Sequence, residues 1–483
     1  MDKIVTHATY IAITNYELGD CPRVENAYQY YENWKAHSVG IVYAKNAREL
    51  RIFSGANLNR IQYLTGGLPH EEDYHHDIPK SISIRMQKCP RNDLQEKMIQ
   101  FLIGEGEYEF NKNYHQLSCN AETGEGKTYC AIVAITYMRL KTIIIVNRIH
   151  IENTWKDAIL EFTDASEKSI LCLTTDIIID ILNGKINTDK YDIFIAVHRT
   201  IYNAATQVGW EGIHELFKIL GIGLKIYDEA HREFANTTMI DTHTDTRKTL
   251  YLTATLKLSN PKANYIFQNL FYNIPKFDQR KLGYTDAKKH IAMIAYFYNS
   301  HPGIDAQRKC YNPRMHFFNS KAHSMYQVTE DTNFFTILDT NIVKFAIKNK
   351  FRCLILVARI KACEIIADFI KENHPEISCG IYNSSIDSVE KQRVLKEDQV
   401  IISTNSSLGE SVTIKDLRFV LNCEAHRSFG DQASGRLRKL PDPNLMCYYA
   451  ELVDNGFKSI TSQWKSRKKH YAEIFNEIFE IKL

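Results

Sequence analysis

The chain has 483 residues, of which 44% are hydrophobic and 24% are charged, and its formal net charge is +3. This composition is typical of a globular protein of about three domains. The net charge is too small to require a nucleic-acid partner, so local patches must support any such assignment.

The sequence lacks the marks of a membrane or secreted protein. No stretch approaches about 18 uninterrupted apolar residues, and the first residues lack the basic-then-apolar pattern of a signal peptide. The 11 cysteines include no C-x-x-C pair, which favours reduced thiols over zinc sites or disulfides. We therefore expect a cytoplasmic protein without a membrane partner, in the host cytoplasm if the source is a phage or virus.

Residues 1–88 are expected to form a small α+β accessory domain. Strand-like runs occupy residues 3–13, 39–43 and 50–53, and an aromatic helix-like stretch occupies residues 28–34. The aromatic side chains of that stretch suit either base stacking or core packing, and their spacing favours the core. They are Tyr28, Tyr30, Tyr31 and Trp34.

A glycine-rich run, Ala-Glu-Thr-Gly-Glu-Gly-Lys-Thr, occupies residues 121–128 between a strand-like and a helix-like segment. Backbone N–H groups of such a loop surround phosphate oxygens, Lys127 reaches the β- and γ-phosphates, and the Thr128 hydroxyl is a ligand for Mg²⁺. The alternative is an ordinary glycine-containing turn. We expect a nucleoside-triphosphate site, and its remaining loop residues are Thr123, Gly124, Glu125 and Gly126.

Short β-branched runs follow at residues 142–146, 192–197 and 224–227, separated by helix-like segments. This alternation predicts a parallel sheet with polar residues at the strand ends. The third run leads directly into Asp228, Glu229 and His231. Asp228 is expected to hold the metal, and Glu229 is expected to orient the attacking water.

Other polar residues occupy helix starts and strand ends of the same half. Gln95 has an amide that can read an adenine edge, although a solvated glutamine at a helix start is the alternative. Arg148 follows one strand and the sequence His198-Arg199-Thr200 follows the next, where backbone N–H groups suit nucleic-acid phosphates. Considered alone, His198 is more typical of an ordinary surface histidine.

The second half repeats the alternation of strands and helices. A strand is expected at residues 351–358, a helix at 360–370 and another strand at 400–404, followed by polar runs at 409–417 and 432–439. Two basic stretches accompany this half. Residues 308–321 mix cations, including Arg314, with aromatic side chains, which suits a junction-contacting loop or an ordinary insertion.

The second basic stretch, residues 464–471, is expected on a helix with Ile474, Phe475 and Ile478 behind it. Lys465 and Lys468 are candidates to follow a duplex backbone, although a solvated helix face is the usual meaning of such a run.

The motifs, in this order, resemble those of superfamily 2 helicases and translocases over roughly residues 90–455. The resemblance covers Gln95 as the adenine-reading glutamine, residues 121–128 as motif I and residues 228–231 as a DEAH-type motif II. It also covers Thr253 and Thr255 as the motif III residues that couple ATP turnover to movement. It implies two tandem RecA-like domains, expected at 89–270 and 271–483, with a basic and aromatic insertion at about 300–325. ATP with Mg²⁺ would bind between them.

In the same resemblance, Gln432, Arg436 and Arg438 belong to motif VI, whose arginines stabilise charge on the γ-phosphate. The family pattern usually places the second arginine three residues after the first. Here Lys439 occupies that position, and lysine cannot make a forked contact. Either Arg438 serves as the second finger or Arg436 works largely alone.

Gly409 and Glu410 belong to motif V, which departs from the usual Gly-Glu-Gly and is more similar to phage UvsW-type helicases. Those relatives drive branch migration and fork regression, and they carry an N-terminal nucleic-acid-binding domain. The expected function is therefore that of a monomeric ATP-dependent DNA helicase or translocase in recombination, repair or replication. The alternatives are an RNA helicase or transcript-release factor, and a DNA-binding scaffold that uses ATP only as a switch.

Overall fold

The computed structural model describes residues 1–32, 35–75, 77–122, 124–254, 260–279, 281–283, 288–312, 317–407, 412, 414–425, 431–437 and 445–483. The chain divides into two compact units, Met1–Thr285 and Asp286–Leu483. No described helix is long and apolar enough to cross a membrane.

The first unit begins with a small mixed module, here called the N-terminal module (residues 1–72). Its elements are β1 (Ile4–Thr6), β2 (Tyr10–Thr14), α1 (Pro22–Ala27), β3 (Gln29–Glu32), β4 (Lys35–Ser38), a 3₁₀ turn (Lys45–Ala47) between β5 (Ile41–Ala44) and β6 (Glu49–Phe53), α2 (Leu58–Leu64) and β7 (His70–Glu72). The sheet order is β5-β6-β2-β1-β7, and β3 pairs with β4 in a separate hairpin.

The prediction of a helix over the aromatic stretch of this module is wrong. The helix ends at Ala27, and residues 29–32 form β3. Tyr28 is buried in the core, as favoured, whereas Tyr31 is exposed on the strand. Trp34 lies outside the described residues. Tyr30 and Tyr31 are successive residues of β3 and point to opposite faces, so Tyr30 packs partly against the core while Tyr31 is exposed.

The N-terminal module shares one hydrophobic core with the rest of the first unit. Phe53 packs against Tyr251 and Phe271, with ring centroids 6.4 and 5.4 Å away. Gly55 permits this approach, since a Cβ there would lie 2.7 Å from Cδ1 of Ile274. Such a contact is too close for packed atoms, so the backbone of the module meets the larger domain where only glycine fits.

The remainder of the first unit is a parallel sheet with helices on both faces. Its elements are α3 (Asp93–Ile103), 3₁₀ turns (Gly106–Asn113 and Glu167–Ser169), β8 (Gln116–Asn120), α4 (Lys127–Met138), β9 (Thr142–Val146), α5 (Ile149–Phe162), β10 (Ile170–Cys172), α6 (Thr175–Leu182), β11 (Ile193–Val197), α7 (His198–Leu220), β12 (Leu224–Tyr227), α8 (Phe234–His243), β13 (Lys248–Thr253), α9 (Pro261–Leu270) and β14 (Lys276–Asp278). Among described residues the sheet has seven strands in the order β10-β11-β9-β12-β13-β8-β14.

The strands predicted at residues 142–146 and 224–227 are confirmed as β9 and β12, because fully buried parallel strands leave continuous apolar runs. β14 lies beyond the predicted domain boundary at residue 270. It pairs with β8 and so extends the first sheet. The division between the two units accordingly falls at residue 285 instead.

The second unit is another parallel sheet between helices. Its elements are β15 (Lys288–Tyr298), α10 (Ile304–Cys310), β16 (Tyr311–Asn312), β17 (Phe317–Phe318), α11 (Ser320–Thr329), α12 (Phe334–Ile337), a π-helix (Leu338–Val343), α13 (Lys344–Lys348), β18 (Arg352–Val357), α14 (Ile360–Asn373), β19 (Cys379–Tyr382), α15 (Ser388–Glu397), β20 (Val400–Thr404), β21 (Leu417–Asn422), α16 (Asp431–Ser434), β22 (Cys447–Asp454), α17 (Lys458–Ile474) and β23 (Phe475–Lys482). Its described part has seven strands ordered β19-β20-β18-β21-β22-β15-β23.

One expectation for this unit needs revision. The helix of the C-terminal basic stretch ends at Ile474, and the residues expected behind it, Phe475 and Ile478, lie on β23. The described part of the basic and aromatic stretch, residues 308–312 and 317–321, forms the end of α10, the short β16–β17 pair and the start of α11. The Phe318 ring is buried and therefore anchors this segment in the core.

Candidate functional site

The candidate site lies at the carboxyl edge of the first sheet. β8, β9, β12 and β13 run parallel and are neighbours in the order β9-β12-β13-β8. Because parallel strands end at the same edge, the loop after β8 and the acidic turn after β12 are brought to one side of the sheet. Thr253, the last residue of β13, lies between them in the strand order.

The glycine-rich loop has the geometry of an anion-binding turn. Gly124 and Gly126 adopt φ of +96° and +95°, a region that favours glycine. Lys127 is the first residue of α4, and its Nζ donates to the carbonyls of Ala121 at 2.7 Å and Glu122 at 3.2 Å. The ammonium group and the N-terminus of the helix therefore belong to one loop, where both favour phosphate. Thr123 lies outside the described residues.

Gln95 is fully buried against this loop and is not the solvated glutamine of the alternative interpretation. Its Nε2 donates to the carbonyl of Glu125 at 3.1 Å, and its Oε1 accepts from the backbone N–H of Arg91 at 2.9 Å. A Cβ at Gly126 would clash with the Gln95 amide. The amide thus fixes the loop, and the adenine contact remains a prediction that requires release of one of these bonds.

Asp228 follows β12 and is held by a residue that the sequence did not single out. The indole Nε1 of Trp155 donates to Oδ2 of Asp228 at 3.0 Å. Burial and the neighbouring Glu229 carboxylate raise the pKa of Asp228 to about 6, while the Trp155 bond and the charge of Lys127 act in the opposite direction. Trp155 occupies the buried stripe of α5, which was the available sequence signal.

Glu229 turns the chain out of the strand. Its φ of +50° is uncommon for a residue with a Cβ, and such strain concentrates at functional sites. Its Oε2 accepts a 3.4 Å hydrogen bond from the backbone N–H of Ala254, just after β13. The carboxylate is thereby directed toward the end of the neighbouring strand.

His231 completes the acidic turn. Its Nδ1 is hydrogen-bonded to the Thr253 hydroxyl at 2.7 Å and lies 3.4 Å from Oε2 of Glu229. Burial lowers the pKa of His231 to about 4, so the ring is neutral near pH 7. The contact with Glu229 is therefore no ion pair at that pH, and the bond to Thr253 connects β12 with β13.

A buried polar cluster lies behind this turn. Lys225 and Asp241 form an ion pair and are only 1% and 3% exposed at their side chains. The hydroxyls of Tyr227 and Tyr251 both donate to Asp241, and the two rings stack with centroids 5.5 Å apart. Since Tyr227 directly precedes Asp228, this cluster positions the strand that carries the acidic turn.

The residues predicted to contact nucleic acid differ in their exposure to solvent. Arg148 precedes α5 and is half-buried, Arg199 is exposed in the first turn of α7, and Thr200 is half-buried beside it. His198 is only 2% exposed and stacks on Tyr227 at 5.5 Å, so the prediction of a phosphate contact does not match its position. The helix begins at His198 itself, which turns the ring inward.

In the second unit, Lys465 is exposed on α17 as expected. Lys468 is exposed too, but it pairs with Glu480 of β23 at 2.9 Å, so its charge is partly compensated. Arg436 is buried, and its Nη1 donates to the carbonyl of Val412 at 3.1 Å. The remaining candidates lie outside what the structure describes: Thr255, Arg314, Gly409, Glu410, Arg438 and the side chain of Gln432.

The site geometry agrees with comparisons to known proteins. Residues 88–258 match the family described as "Type III restriction enzyme, res subunit". The chain is 27% identical over 375 residues to the protein named "Putative helicase 161L" of Invertebrate iridescent virus 6, which covers 74% of this chain and 75% of that protein. The chain is thus similar to a putative viral helicase over about three quarters of its length.

Solved structures are similar to this chain in fold. S. cerevisiae Dbp5 bound to RNA and ADP BeF3 is similar with a TM-score of 0.53 at 12% identity, over 81% of this chain and 89% of that one. A Dbp5 variant bound to RNA and ADP BeF3 gives 0.52 at 13% identity, over 80% and 89%. At such identity the likeness concerns the fold alone, and it confirms the predicted tandem RecA-like domains.

Proposed function

We propose that this chain is an ATP-dependent helicase or translocase of a phage or virus that acts on branched or double-stranded DNA. The observation that carries the proposal is the meeting of the glycine-rich loop and the acidic turn at one strand edge. The charge of Lys127 acts on both Asp228 and His231 there. A cation from one strand end and carboxylates from another are the parts that phosphoryl transfer requires.

Lys127 and Thr128 are assigned to the phosphates and the metal, together with Asp228. The acidic turn suits a divalent cation, because burial and Glu229 raise the pKa of Asp228 and a nearby positive charge would relieve both costs. Mg²⁺ would supply charge neutralisation of the phosphates. Glu229 orients the attacking water, which Glu229→Gln tests: full retention of ATP turnover and movement would favour the scaffold alternative.

Coupling of ATP turnover to movement is assigned to the bond between His231 and Thr253. The same coupling role is assigned, from motif position alone, to Thr255, Gly409 and Glu410. Arg436 is assigned as the arginine finger, with Gln432 beside it, and Arg438 is the candidate for the second cation. Arg436 would have to exchange its bond with the Val412 carbonyl for a phosphate oxygen.

The choice of DNA rests on the likeness of motif V to branch-migrating helicases. RNA is the second candidate, because the Dbp5 structures that share the fold are bound to RNA. Contacts to phosphates carry no base information, so the two substrates are told apart by 2′-hydroxyl dependence.

The test is ATP-dependent branch migration of a synthetic four-way DNA junction, with Lys127→Ala alongside and a matched RNA duplex as competitor. The expected result is branch migration that requires Lys127 and resists the RNA competitor. ATP turnover stimulated by RNA, without any junction movement, would overturn the DNA assignment in favour of RNA. Lys190→Ala, an exposed lysine of the same unit, controls for loss of a positive charge.

A further inference from the structure

A cationic and aromatic surface joins the N-terminal module to the larger domain of the first unit. It is formed by α2, α9 and the residues just after α9, and is called here the α2/α9 surface, comprising Arg60, Tyr63, Lys262, Tyr265 and Tyr272. The guanidinium of Arg60 lies over the ring of Tyr265, 4.7 Å from its centroid, and Nζ of Lys262 lies 5.7 Å from the same centroid. Two cations therefore share one aromatic ring.

The position of Arg60 is fixed by neutral groups. Its Nη1 donates to Oδ1 of Asn269 at 2.7 Å and to the hydroxyl of Tyr265. In the described part of the chain neither Arg60 nor Lys262 forms an ion pair with a carboxylate. Helices α2 and α9 contain no aspartate or glutamate. Because like charges held close together repel, this surface is complementary to an anion.

The aromatic side chains indicate which anion fits. Tyr63 is 80% exposed, Tyr265 48% and Tyr272 59%. Tyr63 follows Arg60 by three residues on α2 and so lies on the same side of that helix. Exposed rings beside unpaired cations are the combination that stacks bases and holds phosphates in single-strand binders. A duplex, whose bases are already stacked, would leave the rings without a role.

Helix α9 of this surface follows the candidate site along the chain. β13 ends at Thr253, at the edge that carries Glu229 and His231, and α9 starts at Pro261 and returns toward the N-terminal module. We infer that the α2/α9 surface binds a single-stranded nucleic-acid segment displaced or guided by the motor. This inference rests on the proposed function, since only a nucleic-acid motor presents such a strand at that edge.

The test is fluorescence anisotropy of a labelled oligo(dT) strand and of a matched duplex, without ATP, on the full chain. Lys262→Glu is the main variant, because it leaves the bond between Arg60 and Tyr265 intact. Lys190→Glu is a matched control, since Nζ of Lys190 lies 4.9 Å from the centroid of the Tyr191 ring. Both variants make the same charge change and remove the same kind of contact.

We expect Lys262→Glu and Tyr265→Ala to weaken single-strand binding about tenfold, and Lys190→Glu to leave it unchanged. Tyr265→Phe retains the ring and should retain binding. The salt dependence of binding should fall by about one ion for Lys262→Glu. Basal ATP turnover should be the same in all four variants, because none of these residues touches the nucleotide loop.

Equal affinities for Lys262→Glu and Lys190→Glu would overturn the inference, as would a loss confined to the duplex. A different result would overturn the proposed function itself: nucleic acid would fail to stimulate ATP turnover by the unaltered protein. Stimulated turnover in the unaltered protein together with unchanged binding by Lys262→Glu would therefore reject the surface alone.

Discussion

The hydroxyl of Thr253 and Nδ1 of His231 lie 2.7 Å apart, and both side chains are buried. The bond joins the end of β13 to the acidic turn after β12. Because the pKa of His231 is lowered to about 4, the neutral ring keeps this bond across the physiological range. A change at the acidic turn can therefore be transmitted directly to the neighbouring strand.

Thr253→Ala should uncouple movement from ATP turnover. Loss of one buried hydrogen bond, worth about 1 kcal/mol, should lower the distance moved or base pairs opened per ATP about fivefold. The KM for ATP should change little, since Thr253 does not belong to the glycine-rich loop. Thr253→Ser keeps the hydroxyl and should behave like the unaltered protein. Equal losses in ATP turnover and movement would contradict the coupling role.

Trp155→Phe should shift the pH dependence of ATP turnover. Asp228 must be ionised to hold a cation, so kcat/KM should fall as the pH drops through a pKa near 6. The Trp155 bond lowers that pKa, so its removal should move the acid limb upward by about one pH unit. Higher Mg²⁺ should move the limb downward in both proteins.

Trp464→Phe is the matched control for this experiment. Nε1 of Trp464 also donates to a carboxylate, Oε1 of Glu480, at 3.0 Å, but it lies in the second unit. It should leave the acid limb where it is. If the acid limb does not shift in Trp155→Phe, the ionisation that governs ATP turnover is not that of Asp228.

Asp241→Asn should destabilise the first unit strongly. It leaves the buried ammonium of Lys225 without its counter-charge, which costs about 3–5 kcal/mol of unfolding free energy. Adding Lys225→Met should recover part of that loss. Asp180→Asn, which breaks the exposed pair with Lys185, should cost less than about 1 kcal/mol. Urea denaturation measures all of these, and similar losses for the buried and exposed pairs would be the contrary result.

His198→Phe should reduce the sensitivity of stability to acid. Burial lowers the pKa of His198 from 6.5 to about 3. Between pH 6.5 and pH 3 the His198 side chain is therefore protonated in the unfolded chain but neutral in the folded one. Stability associated with the neutral ring is thus present above pH 6.5 and is lost as the pH falls toward 3. The phenyl ring keeps the stack on Tyr227.

The slope of unfolding free energy against pH in this window should fall by up to about 1.4 kcal/mol per pH unit in His198→Phe. His75→Asn, at a side chain 90% exposed, should leave the slope unchanged. Urea denaturation at pH 7 and pH 5 is sufficient to compare them. Identical slopes for His198→Phe and the unaltered protein would show that His198 binds a proton equally in the folded and the unfolded chain, which contradicts the lowered pKa.

The sequence alone was sufficient for the features that depend on local backbone conformation. Gly124 and Gly126 require positive φ, β9 and β12 are continuous apolar runs, and Asp228 follows a strand end. Each of these properties is encoded within a few neighbouring residues, so the α/β class and the position of the candidate site could be predicted.

Only the tertiary structure decided which side chains meet. Trp155 reaches Asp228 across 73 residues of chain, and Gln95 reaches the Glu125 carbonyl across 30. The burial of His198, the strand at Phe475 and the shared core of the N-terminal module likewise depend on the elements packed against them. Such contacts are chosen by the packing of whole faces, and a one-dimensional pattern does not specify which face covers which.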